Sequence, residues 1–358
     1  MAARGRAVGG ERELGQDRPG DQAASSDPGN QNLPIRNHTV NKAHLARFAR
    51  GSLLHRVPID GEGKPIPVSV NDAAVRKFFY VPQDPDGNRD FAFEGWASKF
   101  EGAAADAVRS IVDDGVWPPT SETRRALAEW IALQNVRTPT RRAYSAKIAA
   151  VLIAQFQQEG ALGRLEAKLA ALGWEFSDAE RELLREEVES YDATEGRVST
   201  GMHLDIIRAS MAGVVPTLLA RGWVLVQFDH QSLCTSDNPI GMADEYFSPS
   251  WLPLGLSDTA YVTVAVDRHA ALVLPLAPGD GQFDGERAYA NAINLATLWN
   301  ADEVLFAHPD DDLASMLPPT PPRRPRPFPT EAEFLDFSEW PVDTLLGFIG
   351  STRKRARQ

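Results

Sequence analysis

The chain has one cysteine, Cys234, in 358 residues. A single thiol cannot close an internal disulfide or build a thiolate zinc site, which excludes the usual staples of small secreted domains. Long apolar runs are also missing. No stretch approaches the length needed to span a bilayer, and residues 1–33 lack the apolar core of a secretory signal, so the expected address is the cytoplasm and no membrane partner is expected. Basic residues are outnumbered, 37 Lys and Arg against 49 Asp and Glu, for a formal net charge of −12. That surplus disfavours nucleic acid as a partner, because neutralising phosphates takes clustered cations. The P-loop pattern, a strand-linked G-x-G-x-x-G, the G-x-S-x-G elbow and H-E-x-x-H are all absent, so neither a cofactor nor a metal is assigned by motif.

What is present is an ordinary globular composition, 43% hydrophobic and 24% charged. Residues 1–33, rich in Gly, Asp, Gln, Ser and Arg, read as a disordered leader. Residues 34–310 read as a single α+β domain. Its hairpin joins Leu53–Val57 to Pro67–Val70 across the Gly- and Pro-rich turn at 60–65. A helical middle follows from about Phe91 to Ala220, and beyond Gly222 short β-like runs form a strand-rich third with a mainly antiparallel sheet. Residues 311–329 read as a Pro-rich strap, 330–350 as a helix and 351–358 as a basic tail, a strap and tail that could contact a protein partner.

Polar residues stand out where a core should continue. On the helix that starts near Ser121, Leu127, Trp130 and Ile131 form an apolar stripe, and helical spacing carries Gln134, Arg137 and Arg141 onto the same side. A buried guanidinium needs partners, so Arg137 either pairs internally or meets an anionic ligand. A second feature is Ser236-Asp237-Asn238-Pro239 at the end of a β-like run. It is either an ordinary turn or a rigid ligand clamp. His203 falls at helical spacing with Ile206 and Val214 and reads as a core histidine satisfied by one hydrogen bond. Cys234, beside Leu233, reads as a small buried side chain.

Asn37-His38-Thr39-Val40, Phe79-Tyr80, Phe100-Glu101, Gln134-x-x-Arg137-Thr138-Pro139, Trp223 and Ser236-Asp237-Asn238-Pro239 resemble the bacterial domain-of-unknown-function family 4238, over about Arg36 to His308. Asn41 stands where that family's opening usually has Pro. The resemblance implies no activity, but it marks His38, Glu101, Gln134, Arg137, Asp237 and Asn238. The leading expectation is a polar pocket for an anionic small molecule, with His38 and Asp237 catalytic and Gln134, Arg137, Asn238 and Glu101 binding ligand. The reaction would be hydrolysis of a phosphoester or amide bond. The alternative is a non-catalytic protein-interaction module whose polar stripe is a buried structural network.

Overall fold

Alternating and β-branched runs separated by Gly- and Pro-containing turns give strands, and longer 3.6-period runs give helices. The computed structural model describes residues 36–59, 64–83, 86–156, 177–190, 200–245, 255–256 and 258–317, with scattered positions between 163 and 171. The leader, most of the Pro-rich strap, the 330–350 helix and the basic tail lie outside the described residues.

The chain enters through β1 (Arg36–His38) and a short helix, α1 (Lys42–Ala46). The expected hairpin is β2 (Leu53–Pro58) against β3 (Ile66–Ser69), with Leu54 opposite Val68. β4 (Val75–Lys77) turns back to pair antiparallel with β1. The helical middle comprises α2 (Ala92–Val108), which runs into a π-helical turn at Arg109–Asp113, then α3 (Ser121–Val136), α4 (Pro139–Phe156), α5 (Asp178–Ser190) and α6 (Thr200–Ala220). Thr120 caps α3 by accepting from the Thr123 amide, and Pro139 opens α4 where a missing N–H costs nothing.

The C-terminal strands are β5 (Trp223–Gln227), β6 (Thr235–Ser236), β7 (Gly241–Ala243), β8 (Tyr261–Asp267), β9 (Ala270–Pro275), β10 (Asp280–Asp284) and β11 (Val304–Ala307). They divide between two sheets. One has the order β10-β5-β9-β8-β7; the other, β3-β2-β11-β6, incorporates the N-terminal hairpin. Pairing is antiparallel throughout except for β10 against β5. The α+β class and the mainly antiparallel pairing hold, with the strand-rich third split because β11 finds its neighbour in the hairpin. α7 (Arg287–Asn300) packs on β6, β7 and β8. α8 (Leu313–Met316) is one helical turn within the span assigned to the strap.

The apolar stripe of α3 is central. Leu127, Ile131 and Trp130 are buried in one cluster with Phe93, Ile111, Ile207, Leu218, Leu225 and Leu272, so α2, α3, α6 and the five-stranded sheet share a core. The hinge from α6 into β5 is tight. Arg221 is buried and donates to the carbonyls of Leu256, Thr259, Ala260 and Leu274, while the Gly222 amide donates to Pro275 and Ala277. A Cβ on Gly222 would collide with the carbonyl oxygens of Gly279 and Ala277. Gly222→Ala is therefore expected to lower stability by about 1–3 kcal/mol in urea denaturation, with an unchanged m-value.

Candidate functional site

The end of α3 faces the segment 37–41. Gln134 is 0% exposed and Arg137 2%, and both reach the Thr39 carbonyl, through Gln134 Nε2 at 2.7 Å and Arg137 Nε at 3.2 Å. Gln134 Oε1 accepts from Arg137 Nη2 (2.9 Å) and from the Asn41 amide (3.3 Å). Arg137 Nη1 donates to Glu101 Oε1 at 2.5 Å, an ion pair whose carboxylate side chain remains 25% exposed. Each nitrogen of Arg137 thus has a partner within the protein. The internal pairing, one of the two readings open for this residue, is what the structure contains.

Asn41, just before α1, uses both its side chain and its backbone amide. Its Oδ1 caps α1 by accepting from the Ala43 amide at 2.7 Å, and its own amide donates to Gln134. Proline could do neither. Asn37, fully buried on β1, accepts from the Tyr80 amide and donates to Glu94 Oε1 at 2.7 Å. The Tyr80 hydroxyl donates to the Arg137 carbonyl at 2.6 Å, occupying a backbone acceptor at the end of α3. Burial pushes the Glu94 carboxyl up, against the pull of Arg137.

His38 stands beside this network. Burial lowers its pKa, a backbone hydrogen bond to Val70 and the nearby Glu101 carboxylate work in the other direction, and Lys42 and Arg137 also bear on it. Its Nε2 is buried and has no hydrogen-bond partner. In the neutral tautomer protonated at Nδ1, Nε2 carries a free lone pair.

Asp237 and Asn238 belong to a different neighbourhood. The Asp237 carboxylate accepts from the amides of Asp302 (2.8 Å), Glu303 (2.7 Å) and Val304 (3.2 Å), tying β6 to the start of β11. Burial and the adjacent Asp302 raise its pKa to about 6 in spite of those three donors. Asn238 Nδ2 reaches Asp302 at 3.5 Å. His44 links the two regions: its ring packs against Trp130, its Nε2 meets Thr235 Oγ1 at 2.8 Å, and burial followed by the field of Arg137 lowers its pKa to about 3. Among the described residues, no group of three His, Cys, Asp or Glu side chains is placed to hold a metal ion.

The structure therefore brings His38, Glu101, Gln134 and Arg137 together and places Asp237 with Asn238 apart from them. Glu94 was missed in the sequence. Its signal was the seven-residue spacing to Glu101, two helical turns that put both carboxylates on one face of α2.

A family model described as "Protein of unknown function (DUF4238)" matches residues 36–311. The chain belongs to this family. No curated protein and no solved structure matches it. The DUF4238 match ends within the first residues beyond β11, and it takes in the Arg137 network, His38 and the Asp237 turn alike. No helix among the described residues is long and apolar enough to cross a membrane.

His203 differs from its expected role. It is fully buried against Tyr80 and Phe79, but neither ring nitrogen has a hydrogen-bond partner, and burial lowers its pKa to about 3. Cys234 is buried as expected, and burial pushes its thiol up to about 12.

Two outcomes are expected. Arg137→Ala leaves Glu101 and the Thr39 carbonyl short of a donor and should lower the unfolding free energy by about 3–5 kcal/mol in thermal or urea denaturation. Because His44 and His203 have folded-state pKa values below the exposed 6.5, both must be neutral to fold. Their contribution is complete above pH 6.5 and is lost as pH falls toward 3. Each should cost about 2 kcal/mol between pH 7 and pH 5, and His203→Phe should flatten that dependence.

Proposed function

We propose that this DUF4238 protein is a hydrolase of phosphoester or amide bonds in which His38 is the general base. The observation that carries the reading is the orphaned Nε2 of His38, held neutral by burial beside the Glu101 carboxylate. An unsatisfied buried nitrogen costs stability, and such costs concentrate where a group is retained for chemistry. In this reading Nε2 takes a proton from water as the oxygen attacks phosphorus or a carbonyl carbon. Glu101 stabilises the imidazolium, which then returns the proton to the leaving alcohol or amine as its bond to phosphorus or carbon breaks. Arg137 and Gln134 are positioning residues: they hold Glu101 and the 37–41 segment rather than binding the ligand. Asp237, committed to three backbone amides, holds the turn before β11.

The interaction-module alternative draws support from the closed bonding of Arg137, but it leaves the open nitrogen of His38 without a purpose.

The test offers purified protein bis(p-nitrophenyl) phosphate, p-nitrophenyl phosphate and a p-nitroanilide. Turnover of at least one is expected. His38→Gln should reduce kcat/KM by 10²–10⁴-fold while leaving the circular dichroism spectrum unchanged. Since the His38 pKa is lowered, kcat/KM should rise with pH only below 6.5 and stay level from 7 to 8. No turnover of any of the three, or full activity in His38→Gln, overturns the proposal.

A further inference from the structure

Several of the guanidiniums packed into this fold are matched by partners within the protein. Arg137 has Glu101, Arg47 has Asp113 and Asp267, Arg268 has Asp311, and Arg221 is surrounded by four carbonyls. Arg141 has no ion pair among the described residues. Its one side-chain hydrogen bond runs from Nη2 to the neutral Asn135 Oδ1 at 3.2 Å. Burial lowers its pKa, and although Tyr144 and Asp302 favour its charged form, the Asp302 carboxylate does not close to ion-pair distance. Asn135 is itself buried, whereas Arg141 is partly exposed and so reachable from solvent.

A mostly desolvated cation without a counter-ion costs several kcal/mol, and an arginine cannot escape by losing its proton. The planar fork also has donors to spare, in the arrangement that suits two oxygens of one anion. Local backbone geometry adds to this. Arg141 lies in the first turn of α4, where the helix end is positive, and the amides of Arg141 and Arg142 are already taken by Thr138, so the side chain is the available donor. Arg142 next to it is turned away, donating to the Phe79 carbonyl and Thr200 Oγ1. The groups that bear on Arg141, Tyr144 and Asp302, are not those that bear on His38.

We propose that Arg141, with Asn135 orienting its guanidinium, binds the phosphate or carboxylate group of a small ligand. The site does not depend on the hydrolase reading, because it requires binding and no turnover. The role that the sequence offered to Arg137 passes four residues along the chain, across the break between α3 and α4, to Arg141.

The experiment is isothermal titration and thermal unfolding of the full chain with inorganic phosphate and, in a separate arm, malonate, each against sodium chloride of equal ionic strength. At least one anion is expected to bind and raise the melting temperature beyond the chloride control, and which arm responds identifies the ligand group. Arg141→Gln should weaken that binding at least tenfold, Arg141→Lys should restore it only in part, and the unliganded melting temperature of Arg141→Gln should be equal to or above that of the parent. The proposal is overturned if neither anion exceeds chloride or if Arg141→Gln binds as well as the parent. It is equally overturned if Arg141→Gln unfolds earlier than the parent or fails to fold, since that would make the residue structural. Activity of His38 variants has no part in these outcomes, so the two proposals fail separately.

Discussion

A single buried charge organises the centre of this protein. Arg137 cannot lose its proton and cannot reach bulk water, so its guanidinium must be matched from inside. The matching groups come from three parts of the chain: the Thr39 carbonyl before α1, Glu101 on α2 and Gln134 on α3. Satisfying one side chain therefore fixes the entry segment against the helical layer. The dependence continues outward, because Gln134 receives the Asn41 amide, Asn41 caps α1, and Tyr80 closes the backbone end of α3 at the Arg137 carbonyl. Removing any member leaves a buried polar group uncompensated, which is why such networks behave as units.

Against that closed network, the few open groups are informative. Native interiors satisfy nearly all buried polar atoms. The exceptions here include His38 Nε2 and both nitrogens of His203, along with Trp130 Nε1, Arg221 Nε, Asn238 Oδ1 and Thr263 Oγ1, and Arg141 has an amide oxygen where an acid would be expected. His203 sits against aromatic rings and acts as an apolar body that must stay neutral. His38 and Arg141 are partly exposed, and each offers what a ligand lacks in water: a desolvated lone pair in one case, a desolvated cationic fork in the other.

Legibility followed periodicity. The hairpin, the α3 stripe and the apolar strands β5, β8, β9 and β11 were visible because a run of Val and Leu at the right spacing has few other ways to bury itself. β10, with the sequence Asp-Gly-Gln-Phe-Asp, and β7, only three residues long, carry no such pattern, and their pairing is decided by the neighbours they meet. The candidate site divides the same way. Gln134 and Arg137 were conspicuous as polar residues continuing an apolar stripe. Glu94 was not, since a carboxylate on a helix is unremarkable until Asn37 is seen beside it.

The amino-acid sequence alone determined the α+β class, the family, the burial of the Gln134–Arg137 face and the set of polar residues that needed explaining, because each follows from local spacing and from the cost of burying charge. Only the tertiary structure decided which carboxylate each cation receives. Arg137 and Arg141 are chemically identical and four residues apart, one at the end of α3 and the other in the first turn of α4. One faces Glu101 across the α2–α3 contact while the other does not, and that difference is set by residues distant in the chain. The same holds for Asp237, whose three amide donors arrive only when β11 pairs with β6.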